Sequence, residues 1–168
     1  AQASTRLAAQ DLIRIPPVRH AADKTVKINP SFAQRLSECI IYEDDALLVI
    51  NKPAGIAVHG GSGVSLGVIE AFRKTRPDLS YLELVHRLDR ETSGCLLLAK
   101  KRSFLRVVQS LFEARQIEKT YWAILVNSWH GSKSQWVDVP LQKNSLKSGE
   151  RIVIVDAQGK ASQTHFKL

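Results

Sequence analysis

The amino-acid sequence predicts an α+β fold in which helices pack on a mixed, largely antiparallel sheet. Several short apolar runs in the second half of the chain follow one another, separated by Asn, Gly and Ser clusters and without a helical pattern between them. Such an order favours antiparallel strand pairing. Two other segments repeat apolar residues with the period of an amphipathic helix. The chain has 168 residues, 44% hydrophobic and 24% charged, which is enough for one globular domain with a substantial core.

The first thirty residues are predicted to form a separate piece. Residues 11–17 are a short alternating run that ends in two prolines, and a polar stretch follows from residue 20 to residue 29. This pattern fits an extended N-terminal arm, and it also fits the last strand of a preceding domain followed by a linker. The residues alone leave both interpretations open.

A hairpin and a loop are predicted next. Residues 39–42 and 46–50 are apolar runs on either side of an acidic turn, which indicates a β-hairpin whose second strand is buried on both faces. Residues 51–56 form a turn. The glycine-rich stretch at residues 59–63 lacks the Gly-Lys-Ser/Thr ending of a phosphate loop, so we interpret it as a surface loop.

The remaining elements follow from caps and periodicity. Ser65 is predicted to cap a helix that reaches about Lys74, and Ser103 a longer one that reaches about Arg115. A buried strand is expected between them at residues 95–99, with Cys95 as a small buried side chain. The predicted strands of the second half are residues 121–126, 136–139, 152–155 and 164–168. Because the last of these runs to the chain end without a turn, we expect the chain to be a fragment, truncated at its C-terminus.

The charge balance predicts a polyanionic partner. Lys and Arg number 24 against 16 acidic residues, which gives a net charge of +8 and a pI near 9.7. Nucleic acid is the commonest partner of such a chain, although a solvated basic face remains the alternative. No membrane span, signal peptide or metal-ligand spacing is present in the sequence, and the two cysteines form no CxxC pair. We therefore expect a cytoplasmic protein without a metal.

The most informative segment is residues 86–94, His-Arg-Leu-Asp-Arg-Glu-Thr-Ser-Gly. Asp89 lies between Arg87 and Arg90, and on an extended segment Arg87 and Asp89 share a face. Guanidinium groups nearby would lower the pKa of Asp89, which suits a nucleophile or a stabiliser of a cationic sugar better than a general acid. Residues 92–94 predict a turn with Gly94 at positive φ. The alternative is a purely structural ion pair between Asp89 and an arginine.

This segment resembles the signature of the RluA-type pseudouridine synthases, in which the aspartate of the His-Arg-Leu-Asp string is catalytic. Residues 51–59, 119–121 and 159–164 resemble three further motifs of that family, in the same order. The resemblance implies that residues 31–168 are the N-terminal part of a pseudouridine synthase catalytic domain. It also implies that residues 1–30 are the tail of an S4-like RNA-binding domain plus a linker.

The resemblance further implies an isomerase that needs no cofactor. Uracil would be flipped out, detached from its ribose, rotated and rejoined through carbon 5. Within the family, the arginine-flanked motif is most similar to members that modify large-subunit (23S) ribosomal RNA, so that RNA is the expected substrate. We also expect a monomer. The implied site consists of Asp89 as the catalytic residue, Arg87, Tyr121, Arg90 and Lys52 as RNA-binding residues, and His86, Thr92 and Gly94 as structural support.

Two other functions stay open at this point. One is a non-catalytic RNA-binding module on the same scaffold, and the other is a glycoside- or nucleoside-cleaving enzyme that uses Asp89 and Glu91. The family also carries a later Arg-Thr-His-Gln-Ile-Arg segment whose arginine pairs with the catalytic aspartate, and these 168 residues contain no such string. We therefore expect the chain alone to be weakly active or inactive.

Overall fold

The computed structural model describes residues 28–61, 66–145 and 151–168. These residues belong to two compact units, the first ending at Glu118 and the second beginning at Lys119. The predicted N-terminal run at residues 11–17 and the predicted helix cap Ser65 lie outside the described residues. No helix within the described ranges is long and apolar enough to cross a membrane.

The described residues of the first unit form a four-stranded antiparallel sheet and three helices. Its strand order is β1-β2-β4-β3, and the predicted hairpin is its β1–β2 pair. The elements, in chain order, are α1 (Pro30–Glu38), β1 (Ile40–Glu43), β2 (Leu47–Lys52), α2 (Val68–Thr75), β3 (Glu83–Leu84), β4 (Gly94–Ala99) and α3 (Arg102–Glu113).

Helices cover both faces of this sheet. The main core cluster joins α1 and α2 to one face, which includes Leu48 and Ile50 of β2. A smaller cluster joins Val108 of α3 to the other face at Ala99. Within β2, Leu48 and Ile50 are buried whereas Leu47 and Val49 are half-buried, so the prediction of a strand buried on both faces is met fully on one face and only in part on the other. The prediction of a buried Cys95 is wrong, because Cys95 is exposed at the start of β4.

Helix α2 begins later than predicted because neighbouring backbone, not a serine, satisfies its first turn. Its N-cap is Gly67. The N–H groups of Val68 and Ile69 donate to the carbonyls of Ala57 and Val58, at 2.9 and 3.1 Å. The Glu70 carboxylate also accepts a hydrogen bond from the Gly67 N–H at 2.9 Å, so backbone carbonyls and this one side chain together satisfy the start of the helix.

The other two helices also differ from the expectation. Helix α3 begins one residue before Ser103, with Lys101 as its N-cap. Helix α1 was not predicted, although Pro30 at its first position and the Asn29 cap are typical start signals. The Asn29 side chain accepts a hydrogen bond from the Ser31 N–H at 3.0 Å.

In the second unit, the part of the chain that the structure describes contains two strand pairs. β5 (Ser134–Asp138) pairs with β8 (Gln163–Lys167), and β6 (Leu141–Ser145) pairs with β7 (Arg151–Val155). β6 was not predicted. Residues 121–126, predicted as a strand, have no regular secondary structure among the described residues. All described strand pairs in both units are antiparallel, which confirms the predicted α+β class.

Candidate active site

The segment that carries Asp89 leaves the sheet after β3. It is held at one residue before the aspartate and at one residue after it. Leu88 is only 8% exposed and belongs to the main core. The carbonyl of Arg90 accepts hydrogen bonds from the Gly55 N–H at 2.9 Å and from the Lys52 ammonium at 3.1 Å. In return, Arg90 Nε donates to the Gly55 carbonyl at 3.0 Å. Asp89 therefore has a fixed backbone.

Lys52 is the buried link between this segment and the turn that follows β2. Its side chain is fully buried, and its ammonium donates to the carbonyls of Pro53, Ile56 and Arg90 at 2.9, 2.9 and 3.1 Å. Burial lowers the pKa of Lys52, and the charges of Glu91 and Asp89 oppose that change. The expected contact between Lys52 and RNA phosphate is thus wrong for this structure, because all three ammonium protons are engaged away from solvent.

The two loops meet because they leave adjacent strands at the same end. Lys52, the last residue of β2, pairs with Gly94, the first residue of β4. Gly94 has φ +116°, which confirms the predicted positive φ, and Gly55 has φ +83°. Gly55 was not predicted as a site residue, although it lies in the predicted turn at residues 51–56, and positive φ at such a position favours glycine. Thr92 contributes a backbone N–H that donates to the Asp89 carbonyl at 3.1 Å.

The carboxylate of Asp89 is exposed, and among the described residues it accepts no hydrogen bond and forms no ion pair; its charge acts on the Lys52 ammonium only through space. Neither Arg87 nor Arg90 forms an ion pair with this carboxylate. Arg90 Nε instead lies 3.6 Å from Oε1 of Glu91. A structural Asp–Arg ion pair therefore does not account for Asp89 in the described part of the chain. Arg87 and Asp89 are both exposed and flank the buried Leu88, as expected for residues that share a face.

Two other predicted site residues, His86 and Tyr121, belong to different units of the chain. His86 lies between β4 and α3, where its Nε2 accepts a hydrogen bond from the Leu97 N–H at 3.2 Å and its ring lies 5.4 Å from that of Phe112. Tyr121 belongs to the second unit and is 58% exposed; its role stays a prediction. In the described ranges, no group of three His, Cys, Asp or Glu side chains is arranged to hold a metal ion.

Comparisons with known proteins give the same picture as the motifs. The chain is 48% identical over 165 residues to "Ribosomal large subunit pseudouridine synthase C" of Yersinia pestis, covering 97% of this chain and 51% of that protein. Against the protein of the same name from Escherichia coli (strain K12), identity is 50% over 165 residues, with coverage of 97% and 51%. The chain thus spans about half the length of the curated relatives it matches.

Solved structures agree on the fold. "Human RNA Pseudouridylate Synthase Domain Containing 4" superposes with a TM-score of 0.64 at 29% identity, covering 82% of this chain and 56% of that chain. "Human RNA Pseudouridylate Synthase Domain Containing 1" superposes with a TM-score of 0.60 at 23% identity, covering 75% and 49%, and shows a shared fold alone. The family model described as RNA pseudouridylate synthase matches residues 46–167, which include the whole segment around Asp89. The chain therefore belongs to the RNA pseudouridylate synthase family.

Proposed function

We propose that residues 31–168 form the N-terminal part of the catalytic domain of a pseudouridine synthase that isomerises uridines in large-subunit ribosomal RNA. The observation that carries the proposal is Asp89: its backbone is fixed on both sides, while its carboxylate is exposed and makes no hydrogen bond or ion pair within the described residues. A carboxylate that is left unpaired on a fixed backbone is available to a substrate. The names of the relatives supply the RNA class.

The chemistry requires a carboxylate at the ribose and no external reagent. The bond between uracil N1 and C1′ breaks, a bond between C5 and C1′ forms, the C5 proton leaves to solvent, and N1 takes up a proton. No net oxidation or reduction occurs, so no cofactor is needed. Asp89 would act at the sugar, either by attack on C1′, by stabilising the positive charge that develops there, or by removing a sugar proton.

The neighbouring residues would hold the flipped nucleotide. Arg87 is exposed two residues before Asp89, and its planar guanidinium would fill the gap left in the RNA stack. Arg90 would offer its terminal nitrogens to phosphate, and Tyr121 would pack on the uracil ring. Lys52 does not contact RNA in this proposal but holds the Asp89 segment. The net charge of +8 favours binding to a polyanion.

The rest of the proposal concerns the domain organisation, the oligomeric state and the cellular location of the enzyme. Residues 1–30 would be the tail of an S4-like RNA-binding domain plus a linker, preceding the catalytic domain. The enzyme would be monomeric and cytoplasmic. The match to the family model and the basic composition of the chain support its contact with RNA.

Release of tritium from large-subunit ribosomal RNA labelled at uridine C5 tests the reaction. The protein is a chain extended to the length of its relatives, compared with its Asp89→Asn variant and with Glu91→Gln as the matched neighbouring acid. We expect release by the wild type and by Glu91→Gln, and a loss of roughly 10³-fold or more with Asp89→Asn.

Each other outcome points to a different function. Salt-sensitive RNA binding without tritium release, unchanged by Asp89→Asn, would mean a non-catalytic RNA-binding module. Free uracil in the product, with Asp89→Asn and Glu91→Gln equally damaging, would mean a nucleoside-cleaving enzyme with two catalytic acids.

A further inference from the structure

The end of β3 has an irregular hydrogen bond. β3 pairs with β4 at Glu83–Ala99 and at Leu84–Leu98, so the next pair in register is Val85 with Leu97. The Val85 N–H does donate to the Leu97 carbonyl, at 3.0 Å. The Leu97 N–H, however, donates to Nε2 of His86 at 3.2 Å. The imidazole thus takes the place of the Val85 carbonyl in the ladder.

This replacement allows the chain to leave the sheet at the start of the Asp89 segment. If the backbone simply turned away after Val85, the N–H of Leu97 would be left without an acceptor inside the sheet, at a cost comparable to a lost hydrogen bond. The His86 ring is also held from the other side, because it lies 5.4 Å from the Phe112 ring of α3 at an angle of 32°. His86 is therefore fixed between β4 and α3.

The hydrogen bond defines the protonation state of the ring. A backbone N–H only donates, so Nε2 must carry a lone pair, and in the neutral ring the proton is on Nδ1. Nδ1 lies 3.4 Å from the carbonyl of Arg87, within reach of a long hydrogen bond back to the segment that His86 begins. The ring therefore contacts both β4, at Leu97, and the backbone of Arg87, two residues before Asp89.

We infer that His86 is a positioning residue for Asp89, acting through a neutral imidazole whose Nε2 replaces a backbone carbonyl as acceptor for the Leu97 N–H. His86, Leu88 and Arg90 anchor every second residue of the segment, and Arg87 and Asp89 stay exposed between them. The inference rests on the proposed function for its effect on the reaction, but the hydrogen bond itself is independent of any activity.

Two variants separate the acceptor role from simple packing. His86→Gln keeps an acceptor atom at about the reach of Nε2 and loses the ring, whereas His86→Phe keeps a ring against Phe112 and loses the acceptor. In the extended chain, we expect His86→Phe to lower kcat about 10- to 100-fold with little change in the KM for RNA, as for a displaced catalytic group. His86→Gln should retain most of kcat. The reverse order, with Phe active and Gln inactive, would overturn the inference.

The 168-residue chain provides a second test that does not depend on activity. Nitrogen NMR of the imidazole should show Nε2 unprotonated and Nδ1 protonated. Amide exchange at Leu97 should be about 10-fold faster or more in His86→Phe than in His86→Gln, as expected for loss of an acceptor, and the amide shifts of Arg90 and Thr92 should move only in the Phe variant. A protonated Nε2 or equal Leu97 exchange in both variants would sink the inference, whatever the result for RNA.

Discussion

Replacing Lys52 by methionine should destabilise the first unit and displace the Asp89 segment. Methionine keeps the length and apolar character of the lysine stem but removes the ammonium. The carbonyls of Pro53, Ile56 and Arg90 then lose a donor at 2.9 to 3.1 Å. Arg90 retains its bond from the Gly55 N–H, so the turn at Pro53–Ile56 is affected most.

The size of the effect follows from two opposing contributions. A buried acceptor left without a donor costs about 1 to 3 kcal/mol. Removing the ammonium also removes part of the free-energy cost of burying its charge. The same burial lowers the pKa of Lys52. We expect the free energy of unfolding to fall by about 2 kcal/mol, and Tm by about 10 °C for a unit of this size.

Thermal unfolding of the 168-residue chain measures this change, with Lys101→Met as the control. Lys101 is exposed, and its substitution should change stability by less than about 0.5 kcal/mol. The competing role for Lys52, a phosphate contact, makes opposite predictions: an unchanged Tm and a weaker dependence of RNA binding on salt. An unaltered Tm in Lys52→Met would therefore refute the role of Lys52 as a buried link.

Two further predictions concern stability. Gly94→Ala should cost about 1 to 3 kcal/mol in thermal unfolding because φ is +116° there. Gly61→Ala should be nearly neutral, because Gly61 has no positive φ and no described residue lies within 4 Å of the added Cβ; equal losses would contradict this. Hydrogen bonds from Arg76 and Lys100 lower the pKa of Glu43 from 4.5 to about 2. The contribution of the Glu43 carboxylate to the free energy of unfolding is therefore complete above about pH 4.5 and is lost as the pH falls through 2. Glu43→Gln should then unfold about 1 kcal/mol more easily than wild type at pH 7 and equally at pH 2 in urea titrations; a difference that persists at pH 2 would rule out this linkage.

Three of the four described strands of the first unit, β1, β2 and β4, were predictable because their signals are local, whereas the two-residue strand β3 was not predicted. The β1–β2 hairpin has apolar runs on both sides of an acidic turn, and Asp44 accepts hydrogen bonds from the Ala46 and Leu47 N–H groups at 2.8 and 2.7 Å. The spacing of Arg87 and Asp89, two residues apart on an extended segment, likewise predicted that they share a face. In each case the residues that decide the structure lie within a few positions of one another.

The features that sequence reasoning missed depend on distant partners. β6 contains Gln, Lys and Asn, which favour strands weakly, and its pairing with β7 supplies the missing stabilisation. Lysine is rarely buried, so a phosphate contact was the natural expectation for Lys52. Its burial depends on carbonyls from two turns, one of them 38 residues away at Arg90.

A carboxylate that must react with a sugar has two conflicting requirements, rigidity and the absence of a partner. A side chain that held the carboxylate directly would compete with the substrate for it, so the fixing contacts have to act on other atoms. Here they act on the His86 ring, the Leu88 side chain and the Arg90 carbonyl. Because these anchors occupy alternate residues, the two residues between them, Arg87 and Asp89, are left exposed. Arg90, which follows Asp89 directly, donates through Nε to the Gly55 carbonyl and lies 3.6 Å from Glu91, so no ion pair among the described residues competes with a substrate for the Asp89 carboxylate.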